Sequence, residues 1–214
     1  MRRIILLVAL ALAGCVPLEV QQRVRDYNED GVYLYQRGDF RAARETFLAA
    51  LALQPDDPGL LYNVGECYDR LGDSDKAERY YRECLLRSPN HSPCRHALAA
   101  LLLRTGRGEE AVRTVEDWLA KEPNLAAAFA EDGWLWRQAG DLPRAQARLQ
   151  QALQIDPHDT RALTELAQVY EALHRPDRAA ALYERSLEIN PHQPDVARRL
   201  NQLRSQGVTA PRPD

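Results

Sequence analysis

The segment 58–91, PGLLYNVGECYDRLGDSDKAERYYRECLLRSPNH, decides the fold, because the chain goes on to copy it. Prolines stand at Pro55, Pro89, Pro123, Pro157 and Pro191, each 34 residues from the next. Alanines keep the same step at Ala43, Ala77, Ala111, Ala145 and Ala179. A period of this length, punctuated this way, marks an array of helical repeats. Within the segment, Leu60, Leu61, Val64, Tyr68 and Leu71 are spaced as one helical face, and Gly72-Asp73 then turns the chain. A second helix is predicted from Ser74 to Arg87, with Ser74 as its N-cap and Ala77, Tyr80, Tyr81, Cys84 and Leu85 on its buried face. Ser88-Pro89-Asn90 ends that helix, since proline cannot continue the hydrogen-bond ladder.

Carried along the chain, this frame gives five repeats, 24–57, 58–91, 92–125, 126–159 and 160–193. One more helix is expected over 194–206, with Val196, Leu200 and Leu203 on one face, as a cap over the last exposed apolar surface. A tail, 207–214, follows and is expected to be disordered. Mid-helix glycines cost about 1 kcal/mol each relative to alanine. Gly31, Gly65 and Gly133 are therefore expected where two helices come close, with alanines such as Ala77 as the facing half of the contact.

The residues at fixed offsets resemble the tetratricopeptide repeat. In the second repeat they are Gly65, Tyr68, Gly72, Ala77, Tyr81, Cys84 and Pro89; in the first, Gly31, Leu34, Gly38, Ala43, Phe47, Ala50 and Pro55. In the fourth they are Gly133, Trp136, Gly140, Ala145, Leu149, Ala152 and Pro157. The third repeat departs with Ala99 and Trp118, and the fifth with Ala167 and with His174 in place of the turn glycine, which suggests local repacking. The resemblance implies an all-α fold, a right-handed superhelix of five helix pairs plus the capping helix. Its inner groove would be lined by Asn28, Tyr35, Tyr62, Glu66, His96, Leu103, Trp134, Arg137 and Gln168, a mixture of aromatic anchors and charges suited to a peptide or helix. Trp134 is the leading anchor among them. The carboxylate clamp of chaperone-binding members is not reproduced: only Asn63 falls on a clamp offset, and Val32 stands where the first helix should carry an asparagine.

Charge and composition narrow the partner. The chain has 214 residues, 45% hydrophobic and 28% charged, as an ordinary folded body does. With formal net charge −3, it has no basic surplus to follow a phosphate backbone, so nucleic acid is not expected as a partner. No nucleophile–base constellation, phosphate-binding glycine loop or paired carboxylate signal stands out, so an enzyme, a cofactor or a small-molecule substrate is not expected. His91, Cys94 and His96 lie close in sequence but lack a fourth ligand at a sensible spacing, so no metal is expected. Cys67, Cys84 and Cys94 fall on small buried positions, as three compact apolar residues would; Cys84 and Cys94, from successive helices, are the leading candidate disulfide, with Cys67–Cys84 as the alternative pairing.

At the N-terminus, Arg2-Arg3 precedes an apolar run, residues 4–13, too short to span a bilayer but sized for a signal-peptide core. It ends Leu12-Ala13-Gly14-Cys15, which resembles the lipobox of bacterial lipoproteins. That resemblance implies a signal peptide at 1–14, a covalent lipid on Cys15 as the only attached group, and a short tether over 15–23. Because Val16 rather than Asp follows the cysteine, outer-membrane residence facing the periplasm is expected. A lipid-anchored array of five repeats and a cap resembles the type IV pilus pilotins, whose partner is a secretin subunit. The alternative is an adaptor of another envelope machine, serving β-barrel assembly, a tight-adherence pilus, a motility complex or peptidoglycan hydrolase recruitment.

Overall fold

The computed structural model describes residues 17–209, and every regular element among them is an α-helix. The chain divides into two compact units between His91 and Ser92. The first holds α1 (Leu18–Gln36), α2 (Phe40–Leu53), α3 (Pro58–Arg70) and α4 (Ser74–Arg87). The second holds α5 (Ser92–Arg104), α6 (Gly108–Lys121), α7 (Ala126–Gln138), α8 (Leu142–Ile155), α9 (Thr160–Ala172), α10 (Pro176–Ile189) and α11 (Pro194–Ser205). The repeat period survives intact in these elements. Helices α3, α5, α7, α9 and α11 begin 34 residues apart, and so do α2, α4, α6, α8 and α10. Each proline of the ladder stands two residues beyond the end of its helix.

The helix-to-helix turns explain why glycine and aspartate recur together. Gly72 takes φ +82°, which lets its N–H donate to Asp69 and the next N–H, of Asp73, donate to the Tyr68 carbonyl. Asp73 then accepts from the Lys76 amide and so caps α4. The cap is therefore Asp73, and Ser74 is the first helical residue; the carboxylate, one residue earlier, has the reach to the third amide. Asp39 and Asp141 cap α2 and α8 in the same way. His174 keeps the turn rather than repacking it. It adopts φ +56°, and both turn hydrogen bonds, His174 to Glu171 and Arg175 to Tyr170, are made.

The mid-helix glycines do mark close approach, but their partner differs from the one expected. A Cβ placed on Gly65 would lie 2.6 Å from the Tyr81 ring, one on Gly31 2.5 Å from Phe47, and one on Gly133 2.5 Å from Leu149. The nearest facing residue is thus the aromatic or leucine of the second helix, and at Gly133 the Ala145 carbonyl follows at 3.3 Å. The alanine four residues earlier, as at Ala77, is fully buried beside it. In the third repeat the arrangement is altered: Ala99 replaces the glycine, the smaller Val115 replaces the aromatic, and Trp118 fills the position that is Ala50, Cys84 or Ala152 elsewhere. All three are buried, and the Arg95 guanidinium lies 4.5 Å from the centre of a Trp118 ring.

The two ends are closed by one rule applied in opposite senses. Leu60, Val64 and Cys67 of α3 are buried, as are Cys94, Leu98 and Leu101 of α5 and Ala162, Leu166 and Val169 of α9. Helix α11 repeats that face with Val196, Leu200 and Leu203 and packs it on α10. At the same three positions α1 carries Asp26, Asp30 and Tyr33, all exposed. That face of α1 is therefore not packed against another described helix. Helix α1 starts at Leu18, so residues 18–23 of the expected tether are helical, with Pro17 just before the first turn and Glu19 within it. The leader, Cys15 and residues 210–214 lie outside the described residues. No described helix is long and apolar enough to cross a membrane.

Two substitutions check this account of the repeat. Gly65→Ala should lower stability by about 1 kcal/mol, the overpacking cost less the gain in helix propensity. In a double-mutant cycle read by urea midpoints, that loss should shrink in a Tyr81→Val background, which imitates the Ala99/Val115 pair. His174→Gly should raise stability by about 1 kcal/mol, because glycine occupies the left-handed region without the Cβ penalty. An unchanged thermal midpoint would contradict the strain assigned to that turn.

Candidate functional site

The nine residues expected to line a groove fall into two sets, one in each unit. In the first unit the face shared by α1 and α3 encloses a pocket of about 260 Å³ lined by Val32, Tyr35, Gln36, Phe47, Tyr62, Asn63 and Glu66. Tyr35, Tyr62 and Glu66, which the resemblance set on one groove face, thus line one pocket. Asn28 lies alongside, its Oδ1 accepting from Asn63 Nδ2 at 3.0 Å. Helix periodicity accounts for the set: Val32 and Tyr35 are three apart on α1, while Tyr62 and Glu66 are four apart on α3.

Glu66 is the fixed point of the pocket. The Tyr81 hydroxyl donates to its Oε1 at 2.6 Å, and the Tyr35 hydroxyl donates to Oε2 at 3.2 Å. Tyr81 comes from α4, below the pocket, and its ring is the one pressed under Gly65. Sequence reasoning assigned Tyr81 to the scaffold alone. The hydroxyl at the far end of a scaffold ring was the available signal, since a buried phenol needs a polar partner. Burial and the Glu66 charge push the Tyr35, Tyr62 and Tyr81 phenols above the ordinary tyrosine value, so all three stay protonated. Arg70 approaches Tyr35 from the outer side, donating to its hydroxyl at 3.4 Å, with its guanidinium 4.2 Å from the centre of the Phe40 ring.

In the second unit the structure corrects the leading anchor. Trp134 is only 7% exposed, and the His96 ring stands edge-on to it at 4.5 Å between centroids. With the Gln138 amide oxygen turned toward it, the indole Nε1 donates at 2.9 Å. Trp134 is therefore a wall residue of the α5–α7 packing, its ring covered by His96. Arg137 is likewise engaged, its Nε donating to Glu165 at 2.8 Å. Leu103 and Gln168 are half-buried, and no bond joins either to the other members of the set.

The polar centre of this unit was not foreseen. Glu131 is completely buried, with Arg161 in ion-pair contact with its Oε2. His96 Nδ1 lies 3.2 Å from Glu131 Oε1 and 2.7 Å from Arg161 Nη2. A guanidinium can only donate, so in the contact with Arg161 the imidazole Nδ1 is the acceptor. Three helices, α5, α7 and α9, are tied together by these three side chains. Nearby, Asp132 occupies the position of Val64, Leu98 and Leu166; its partner is Arg148 at 2.7 Å, and burial raises its carboxyl above the ordinary value against that pairing.

Known proteins share the repeat fold. Tetratricopeptide repeat models match residues 71–130 and 137–203 in one case and 30–92 in another. The chain belongs to the tetratricopeptide repeat family. A stretch of 51 residues, 24% of this chain, is 45% identical to outer dynein arm-docking complex subunit 4 of Danio rerio, covering 10% of that protein. A stretch of 54 residues, 25% of this chain, is 44% identical to a TPR repeat-containing protein of Pseudomonas aeruginosa, covering 9% of it. The chain therefore spans about a tenth of the length of these curated relatives. Among solved structures, a thermophilic TPR protein of Thermus thermophilus is similar with a TM-score of 0.66 and 26% identity, over 85% of this chain and 99% of that one. Tetratricopeptide repeat proteins are scaffolds that bind protein partners.

Beside the pocket, Cys67 is a fully buried free thiol of α3. Burial pushes it up to about 12, with the Glu66 charge adding to the effect. A group that holds its proton more tightly when folded contributes stability below its unfolded value, and that contribution is lost as pH rises through the folded one. Stability should therefore fall between about pH 9 and 12, by up to about 1.4 kcal/mol per pH unit for this thiol. Cys67→Ala should flatten that slope in urea titrations. Iodoacetamide at pH 8 should modify Cys67 only after unfolding.

Proposed function

We propose that this tetratricopeptide repeat protein is a lipid-anchored scaffold of the bacterial outer membrane, facing the periplasm and acting as a pilotin-like factor for a type IV pilus secretin. The observation that carries the proposal is Leu12-Ala13-Gly14-Cys15 at the end of a short apolar run, directly ahead of a repeat array. A diacylglycerol and an N-acyl chain on Cys15 would make the attachment effectively permanent, since each buried methylene contributes about 0.8 kcal/mol and one chain alone binds only reversibly. Helix α1 begins at Leu18, so the repeats start within a few residues of the anchor. The scaffold would thus be held at the membrane surface, where it can offer the α1–α3 pocket to a secretin subunit in transit.

The test is deletion in the host, followed by immunoblotting for heat-resistant secretin multimers and counting of surface pili. Both should be lost, and a Cys15→Ala form should fold yet partition into the aqueous phase of a detergent extract and fail to restore them. Normal multimers and pili in the deletion strain would exclude the secretin as client and shift the assignment to another envelope machine. A Cys15→Ala form that still partitions with the membrane would exclude the lipid anchor.

A further inference from the structure

We propose that the α1–α3 pocket selects a basic side chain of its partner, arginine above all, rather than an apolar one; this rests on the reading of the chain as a protein-binding scaffold. Four observations lead there. The first is size. At about 260 Å³ the pocket is below the roughly 300–1,000 Å³ of small-molecule sites and has room for a single large side chain.

The second is charge. Glu66 is the one charged residue in the lining, and it makes no ion pair among the described residues. Its two hydrogen bonds come from the hydroxyls of Tyr35 and Tyr81, which hold the carboxylate in place without neutralising it. Two ionised oxygens offer about four lone-pair positions, so about two remain for a guanidinium fork. A half-buried carboxylate lacking a counter-charge is costly, and a cationic guest would relieve that cost.

The third is the wall. Tyr35 and Tyr62 face the pocket and are kept protonated by burial and by Glu66, leaving their rings neutral and electron-rich for cation–π contact. The Tyr62 hydroxyl makes no hydrogen bond among the described residues, so it is available as an acceptor. Val32, at 38% exposed, offers apolar surface at the mouth for the methylene stem of such a side chain. The fourth is an example within the chain. On the other side of Tyr35, the Arg70 guanidinium already lies against this aromatic surface, 5.7 Å from the Tyr35 ring centre and 4.2 Å from that of Phe40. Arg70 bonds the phenol and leaves the carboxylate to the pocket.

The test uses the isotope-labelled full chain in detergent micelles and four probes: the N-acetyl, N′-methylamide derivatives of arginine, citrulline, leucine and phenylalanine. Citrulline keeps the shape of arginine and removes its charge. The arginine probe should shift the NMR signals of Tyr35, Tyr62 and Asn63 at concentrations at least tenfold lower than citrulline or leucine. Glu66→Gln should abolish that advantage while Tyr35 and Tyr81 still hydrogen-bond the side chain. Should that variant fold poorly, raising salt from 50 to 500 mM should weaken arginine several-fold and leave leucine unchanged. Leucine or phenylalanine matching arginine at those signals would overturn the charge selection and leave the pocket as an apolar protein-binding site. No shift with any probe would overturn the pocket itself as the binding site.

Discussion

The contact on which the first unit turns is the close approach of Gly65 to the ring of Tyr81. A methyl group at Gly65 would sit 2.6 Å from that ring, so α3 and α4 meet at a distance only glycine permits. The mid-helix glycine costs about 1 kcal/mol of propensity, and the burial of a whole tyrosine ring offsets it. The same contact also builds the site. Pressed under Gly65, the ring delivers its hydroxyl to the adjacent Glu66 of α3, and Glu66 in turn holds Tyr35 of α1. Scaffold and pocket share a side chain.

The second unit uses the same frame to another end. Tyr183 reaches Glu171 much as Tyr81 reaches Glu66. The face formed by α5, α7 and α9, however, is occupied from within by Trp134, His96, Glu131 and Arg161. A fully buried carboxylate with a guanidinium and an imidazole around it is expensive to desolvate and specific in geometry, so it fixes the mutual register of three helices more than it adds stability. That face is filled by the chain's own side chains, whereas the α1–α3 face of the first unit keeps an open pocket. This concavity is small and tyrosine-walled, and it carries the Glu66 carboxylate.

Much of this was readable from spacing alone. The 34-residue step located the helix starts, the Gly-Asp turns and the proline stops, because each answers to local backbone chemistry that recurs with the period. Tyr35, Tyr62 and Glu66, given as groove positions by the resemblance to the repeat family, line one pocket. The misreadings share one cause, which is that phase says which way a side chain leaves the helix and not what meets it. Trp134 had the phase of an anchor and is covered by His96. Ala77 had the phase of the glycine's partner, and Tyr81 took the contact. Ser74 lay at the turn, and the longer Asp73 side chain reached the amide.

The sequence by itself determined the all-helical repeat, its length, its polar opening on α1 and its apolar closing helix α11, since these depend on periodicity and on the backbone preferences of glycine, proline and aspartate. It also carries the Leu12-Ala13-Gly14-Cys15 pattern, whose meaning is chemical rather than conformational. Only the tertiary structure decided that the pocket has an unneutralised carboxylate clamped by two tyrosine hydroxyls, and that Glu131 is buried with Arg161 and His96. Those arrangements join residues as many as 65 positions apart, and they depend on how closely helices approach, a quantity set by volumes on both sides of an interface at once.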